Sequence, residues 1–395
     1  MAIFEFSFSK YLLFPFTAPF INVGQELIVN KEIKGHIFLK SALFFLGEML
    51  SIFIEIFAQF YQRRKRFHSL KAVVLDNELI IKTYNDEMDE QLKEKQKNLK
   101  AFIIFSCLLD FLIQILMSFF LSHEYIYLKI QLECKAIPLF VIAFINKYMF
   151  RVNFEKHHKI SMVIIFLGTI TVFIFHFIFQ VKETNLFNTA IITLLFLIVK
   201  IITGVKVLLD TYILQAKYAS PFKLLFYQGL FGFTVSIFCA LLVNNRKCFK
   251  INGFYYCTNE GYIDNFQIFF DKFKNTRILL TIIAYCFMVL LLNVLRKQTK
   301  YYLTAFHRVL SCISTAILNW VIFLIGKQKT FETVVIIEMI GFIVILFGEL
   351  VYAEVIICKF MGLDEDTKKE ILKRGEVERT NTMLIIKTFK SSLFK

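Results

Sequence analysis

Long apolar runs alternate with short polar stretches along this chain, and the charged residues sit between the runs instead of recurring every three or four positions within them. That pattern belongs to helices surrounded by lipid, not to helices with one wet face. A hydrocarbon core of about 30 Å needs roughly 20 apolar residues of helix. Runs of that length begin near Tyr11, Phe38, Ala101, Tyr125, Ile160, Phe187, Pro221, Ile278, Tyr302 and Val334. The pattern therefore predicts an all-α membrane protein of about ten transmembrane helices. The first run is interrupted by Pro15, Pro19 and Glu26, yet no A-x-A-like cleavage site follows it, so it reads as a helix and not as a signal peptide.

Composition sharpens this picture. Hydrophobic residues make up 57% of the 395 and charged residues only 19%, which excludes a soluble globular protein. The 49 Phe fit the codon bias of an AT-rich genome, so individually they carry little functional information and are not counted as an aromatic binding motif. The net charge of +15 does not point to nucleic acid, because the Lys and Arg flank apolar spans, where lipid headgroups account for them. An even number of spans puts both termini on one side. That side also holds Arg63, Arg64, Lys65 and Arg66, then Arg151, Lys156 and Lys159, and the basic tail. It carries more than twice the positive residues of the other side, so it is expected to face the cytosol, or the matrix of a mitochondrion. A protease-accessible tag at Gln91 is thus expected on the same side of sealed vesicles as one at the C-terminus. Tags on opposite sides would overturn the ten-span topology.

Weak self-similarity divides the chain. Tyr127-Leu128 recurs as Tyr302-Leu303, Phe154-Glu155 as Phe331-Glu332, and Ile165-Phe166-Leu167-Gly168 as Ile345-Leu346-Phe347-Gly348. The offset grows slowly, as small loop insertions would make it. The organisation expected is a first five-helix repeat over 1–182 with a polar cytosolic loop at 62–100, a second over 183–358, and a charged tail at 359–395. Five spans per half invert the second repeat relative to the first.

Particular residues then resemble a known superfamily. They are Phe45-Leu46-Gly47-Glu48, Asp110 with Leu116-Met117, Gln131 with Ala136, Ser220-Pro221 followed by Gly229-Leu230-Phe231-Gly232-Phe233, Asn293, Thr299-Lys300, Leu303, Ala305, Arg308, Trp320, and the stretch from Gly341 to Tyr352. In this order they resemble the drug/metabolite transporters, and within them solute carrier family 35 of the F type, related to nucleotide-sugar transporters. The resemblance implies ten helices in two inverted five-helix repeats, endomembrane residence, and transport of a small polar solute. The chain also departs from that pattern. Asp210-Thr211 stands where an acidic pair is expected, Gln228 where an acid is expected, and Cys134, Cys312 and Thr315 where charged residues are expected. Either the substrate differs or transport has been lost.

An ionisable group inside a span costs on the order of 2.5–3.5 kcal/mol on insertion scales, which makes each one a candidate. Glu48 and Glu55, two turns apart, are expected to share a cavity-lining face, as are Glu338 and Glu349. Asp110 with Gln114 reads as a pathway pair. Lys206 with Asp210, and Lys129 with Glu133, have the spacing for mutual neutralisation. Lys200 has no acid one turn away and would suit a phosphate or carboxylate in a central cavity, as would Arg308 beside His307; the alternative is that both, near a span end, snorkel to the interface. The candidate substrate-binding residues are thus Glu48, Glu55, Asp110, Gln114, Lys200, Lys206, His307 and Arg308. Opposed to this is the reading in which these charges only hold the bundle together.

No nucleophile with its base, phosphate loop or zinc motif is present in the sequence. Neither an enzyme nor a cofactor or metal is expected, and His157-His158 reads as a solvated pair on a basic loop. Cys248 and Cys257 lie on the side opposite the termini, where an oxidising lumen would join them; mass spectrometry without reduction checks this, two free thiols rejecting it. The partners expected are a small polar or anionic solute, membrane lipids and, in a non-transporting subunit, other membrane proteins. An endomembrane such as Golgi, ER or lysosome fits best, with the mitochondrial inner membrane second.

Overall fold

The computed structural model describes residues 4–6, 17–21, 36–70, 98–121, 136–151, 154–180, 186–247, 250–251, 254–255, 261–303, 305–309, 313–314, 317–318, 321 and 333–358. The protein is mostly helical over these residues. Its long helices are α1 (Ile37–Met49), α2 (Ser51–Leu70), α3 (Leu99–Leu121), α4 (Ile137–Tyr148), α5 (Lys156–Gln180), α6 (Leu186–Gln215), α7 (Pro221–Val243), α9 (Thr276–Tyr302) and α10 (Thr333–Tyr352), with a short α8 (Phe266–Phe273) before α9. Among the described residues, four segments are long and apolar enough to cross a membrane: Ile37–Tyr61, Leu99–Ser118, Pro221–Val243 and Thr276–Tyr302. The spans expected near Tyr11 and Tyr302 fall largely outside the described residues, as do Lys129, Glu133, Cys248, Cys257 and the loop at 71–97. The side chain of Glu338 lies outside them too.

Polarity is distributed as lipid would require. Phe238, Leu241, Leu242, Leu280, Ile283 and Phe287 point outward and are exposed, whereas Glu48, Asp110, Asp210, Lys297 and Lys300 are buried. Outside a membrane this arrangement would reverse the usual partition of apolar and charged groups.

Two helix pairs pack most extensively, α1 with α7 and α5 with α10. Small residues permit both approaches. A Cβ on Gly229 of α7 would lie 2.6 Å from the Met49 nitrogen and 2.8 Å from the Phe45 oxygen of α1. One on Gly168 of α5 would lie 2.7 Å from Ile345 Cγ1 and 2.9 Å from the Gly341 oxygen of α10. Helix α6 crosses between, touching α3, α4 and α9, while α9 packs on α1 and α3 on α7.

Between α1 and α2 lies Leu50, whose amide still bonds back to Leu46 O at 3.3 Å and whose φ of −60° and ψ of −15° stay in the right-handed region. Strand β1 (Phe4–Phe6) pairs antiparallel with β4 (Ile356–Cys358), and β2 (Lys250–Ile251) with β3 (Phe254–Tyr255). Part of the polar stretch between α7 and α9 is folded against α1. Asn244 and Asn245 bond to Phe266 and Asn265, and the Phe38 amide at the start of α1 donates to Asp264 Oδ2 at 2.9 Å. A carboxylate there meets the unpaired amides and the positive end of the helix dipole.

A candidate ion-pair site at the meeting of five helices

Asp210, 0% exposed, is the centre of a buried polar cluster. Its Oδ1 accepts from Ser106 Oγ of α3 at 2.5 Å and from Gln228 Nε2 of α7 at 3.1 Å. Its Oδ2 accepts from the ammonium groups of Lys297, at 2.8 Å, and Lys300. Lys297 and Lys300 are three residues apart on α9 and so share a face. Lys206, one turn before Asp210 on α6, stands 3.8 Å from the same oxygen and donates to Asp110 Oδ1 of α3 at 2.5 Å. Gln228 also donates to Ser106 Oγ at 2.7 Å, which ties the hydroxyl to both neighbours.

The cluster extends to α1. Asn293 of α9 donates to Glu48 Oε1 at 2.9 Å and accepts from Arg296 at 3.2 Å. Glu48 lies in the fields of Asp110, Lys206, Lys297 and Asp210. Three acids, Glu48, Asp110 and Asp210, thus face three amines, Lys206, Lys297 and Lys300. Glu48 Oε2 and Asp110 Oδ2 are buried and accept no hydrogen bond. Charges held in such surroundings attract or repel one another far more strongly than in water, so the group can hold an anion in exchange for a carboxylate, or relay a proton between acids.

The residues singled out from sequence divide into three sets. Glu48, Asp110 and Lys206 meet in the cluster, with Arg308 close enough to act electrostatically on Lys300. Glu55 does not share a site with Glu48. It accepts from Ser220 Oγ and from Gln59 Nε2, each at 2.6 Å, and anchors α2 to the turn before α7. The two carboxylates take different partners, Asn293 of α9 for Glu48 and Ser220 for Glu55, although α1 and α2 both pack on α7. Glu55→Ala is accordingly expected to lower stability by about 1–3 kcal/mol, the cost of orphaned buried partners; a thermal melt in detergent measures it. Lys200 lies ten residues before Asp210, about 15 Å along α6, and its ammonium stands 5.6 Å from the Phe196 ring centroid. Gln114 is half-buried on α3, one turn past Asp110. His307 meets the Tyr352 ring edge-on at 6.2 Å, away from Asp210's own ligands.

Other expectations meet different surroundings. Lys206 and Asp210 do face each other at helical spacing, but within a larger network, not as an isolated pair. Glu349 accepts from Ser314 Oγ at 2.7 Å. The His157-His158 pair is not solvated: His157 is 3% exposed, because the first turn of α5 tucks beneath the turn that follows α10. Lys297, Ser106 and the role of Lys300 escaped the sequence reading. Lys297 and Lys300 end an apolar run, where a lysine ordinarily reaches for headgroups. Their three-residue spacing sets them on one face without fixing which way that face turns.

No family model and no curated protein matches the chain. A solved structure described only as "Crystal structure of protein" matches 90% of this chain and 100% of its own length, with a TM-score of 0.52 and 11% identity. This likeness concerns the fold alone.

Proposed function

We propose that the chain is a multi-pass membrane transporter-like protein that moves a small polar or anionic metabolite, nucleotide-sugar-like in chemistry, by alternating access. The observation that carries this reading is the convergence of Lys206, Lys297 and Lys300 on Asp210 inside the bundle. Three ammonium groups around one carboxylate form a centre in which a phosphate or carboxylate of a solute replaces Asp210 as counter-ion. The helix pairings support an inverted repeat. If 1–182 and 183–358 correspond span by span, α1 pairs with its own counterpart α7 and α5 with its counterpart α10, while the α9–α1 contact mirrors the α3–α7 contact. A pseudo-two-fold axis in the membrane plane produces that set, with the site at the interface of the repeats. Endomembrane residence with cytosolic termini follows from the charge asymmetry and the family resemblance.

One observation favours a second reading, a non-transporting subunit of a larger membrane complex. Asp210 already accepts from Ser106, Gln228, Lys297 and Lys300, as a lock would. Counterflow in proteoliposomes, with labelled nucleoside phosphates and nucleotide sugars, separates the two. Saturable exchange that is lost in Lys300→Met supports transport. Wild-type protein that is folded yet exchanges none of them, and that is isolated from its native membrane in a stable multisubunit assembly, supports the subunit.

A further inference from the structure

The first turn of α5 and the turn after α10 bring together His157, His158 and Glu354, whose ligand-capable atoms all lie within 4.8 Å of one another. We propose that these three side chains bind a divalent transition-metal ion of the zinc type, at the end of the α5–α10 pair remote from the Asp210 cluster in sequence and built from different helices.

Two imidazoles and one carboxylate form a donor set that suits zinc and its neighbours, and leave a fourth position for water. The geometry narrows the choice between metal and simple ion pair. His157 Nε2 stands 3.4 Å from Glu354 Oε1. That separation is long for a charge-assisted hydrogen bond, normally about 2.7–2.9 Å. It equals the edge, about 3.3 Å, of a tetrahedron whose metal–ligand bonds are about 2.0–2.1 Å. His157 is 3% exposed, and neither of its ring nitrogens makes a hydrogen bond. A buried imidazole left so is costly unless something else engages it. The neighbouring rings lie close together, with the His157 and His158 centroids 4.0 Å apart and the Tyr352 ring tilted by 47° against His158 at 4.6 Å.

The end of α10 sets where the carboxylate lies. Glu354 has φ of +55° and closes the helix in the common left-handed way, its amide bonding to Val351 O at 3.1 Å and that of Val355 to Leu350 O at 3.0 Å. It turns the chain between α10 and β4 so that the carboxylate returns to α5. Bound metal would clamp those two helix ends.

Cobalt(II) is the probe, because its visible absorption distinguishes four from six ligands where zinc is silent. Full-length protein, purified in detergent and stripped with a chelator, is titrated with Co2+. One four-coordinate Co2+ per chain, displaced by Zn2+, is the expected result. Glu354→Gln and His158→Ala should each weaken binding by at least about 100-fold, beyond the 10–100-fold typical of losing a mere supporting contact, while eluting as wild type does. X-ray absorption on the zinc-loaded wild type should show two imidazoles, and holds even if the variants fail to fold. The absence of a four-coordinate band in the wild type, its retention in Glu354→Gln, or fewer than two imidazoles would overturn the proposal.

Discussion

Asp210→Asn is expected to be among the most damaging single substitutions in this protein. The amide retains the shape and can still accept from Ser106, but it withdraws the negative charge facing Lys297 and Lys300. Lys206 keeps Asp110 as a partner at 2.5 Å. The two α9 lysines are left as buried cations, and removing one member of a buried ion group costs about 3–5 kcal/mol because the remaining charge is uncompensated. A fall of several degrees or more in Tm, or failure to fold, is expected in a detergent melt. The compensating variant is Asp210→Asn with Lys297→Met and Lys300→Met, which removes the orphaned cations and should recover most of the stability. Recovery of the fold without recovery of solute exchange would identify the lysines as the binding element. An unchanged Tm in Asp210→Asn alone would remove the electrostatic account of the cluster.

The second large effect is expected at the α1–α7 seam. At Gly229 the obstacles to a Cβ are the Met49 nitrogen and Phe45 oxygen, both backbone atoms, so no rotamer change makes room. Gly229→Ala should cost about 1–3 kcal/mol through overpacking. Gly229→Leu should exceed that, because α7 must lift from α1 along its length and take Gln228, one residue away, out of reach of Asp210. Tm in detergent for the pair measures the seam. Equal stability of the leucine variant and wild type would show that α7 is not held at this distance.

Much of the helical framework was legible because lipid imposes its own period: an apolar run of about 20 residues has few alternatives to helix. The cluster was only half legible. Lys206 and Asp210 declared themselves by i,i+4 spacing, and Asp110 by its isolation in an apolar span. Lys297 and Lys300 did not, since a lysine near the end of a span reads the same whether it turns toward headgroups or toward a buried acid 87 or 90 residues away. Sequence spacing describes one helix at a time, and the choice between those directions is made by its neighbours. The same limit explains Glu48 and Glu55. Their seven-residue spacing is real, but each finds a partner on a different helix, Asn293 for the one and Ser220 for the other. His157 was misjudged because the residue that covers it, Glu354, lies almost 200 positions later.

The carboxylate of Asp264 that receives the Phe38 amide of α1 comes from 226 residues further along the chain. At ribosomal rates of about 5–20 residues per second, those residues take on the order of 10–50 s to synthesise. During that interval the start of α1 lacks its final acceptor. Its first turn is therefore provisional until α7 and the segment behind it have folded back. Insertion of the early helices and closure of the bundle are separate events in time, and a chain interrupted before Asp264 holds α1 without the contact that fixes where the helix begins.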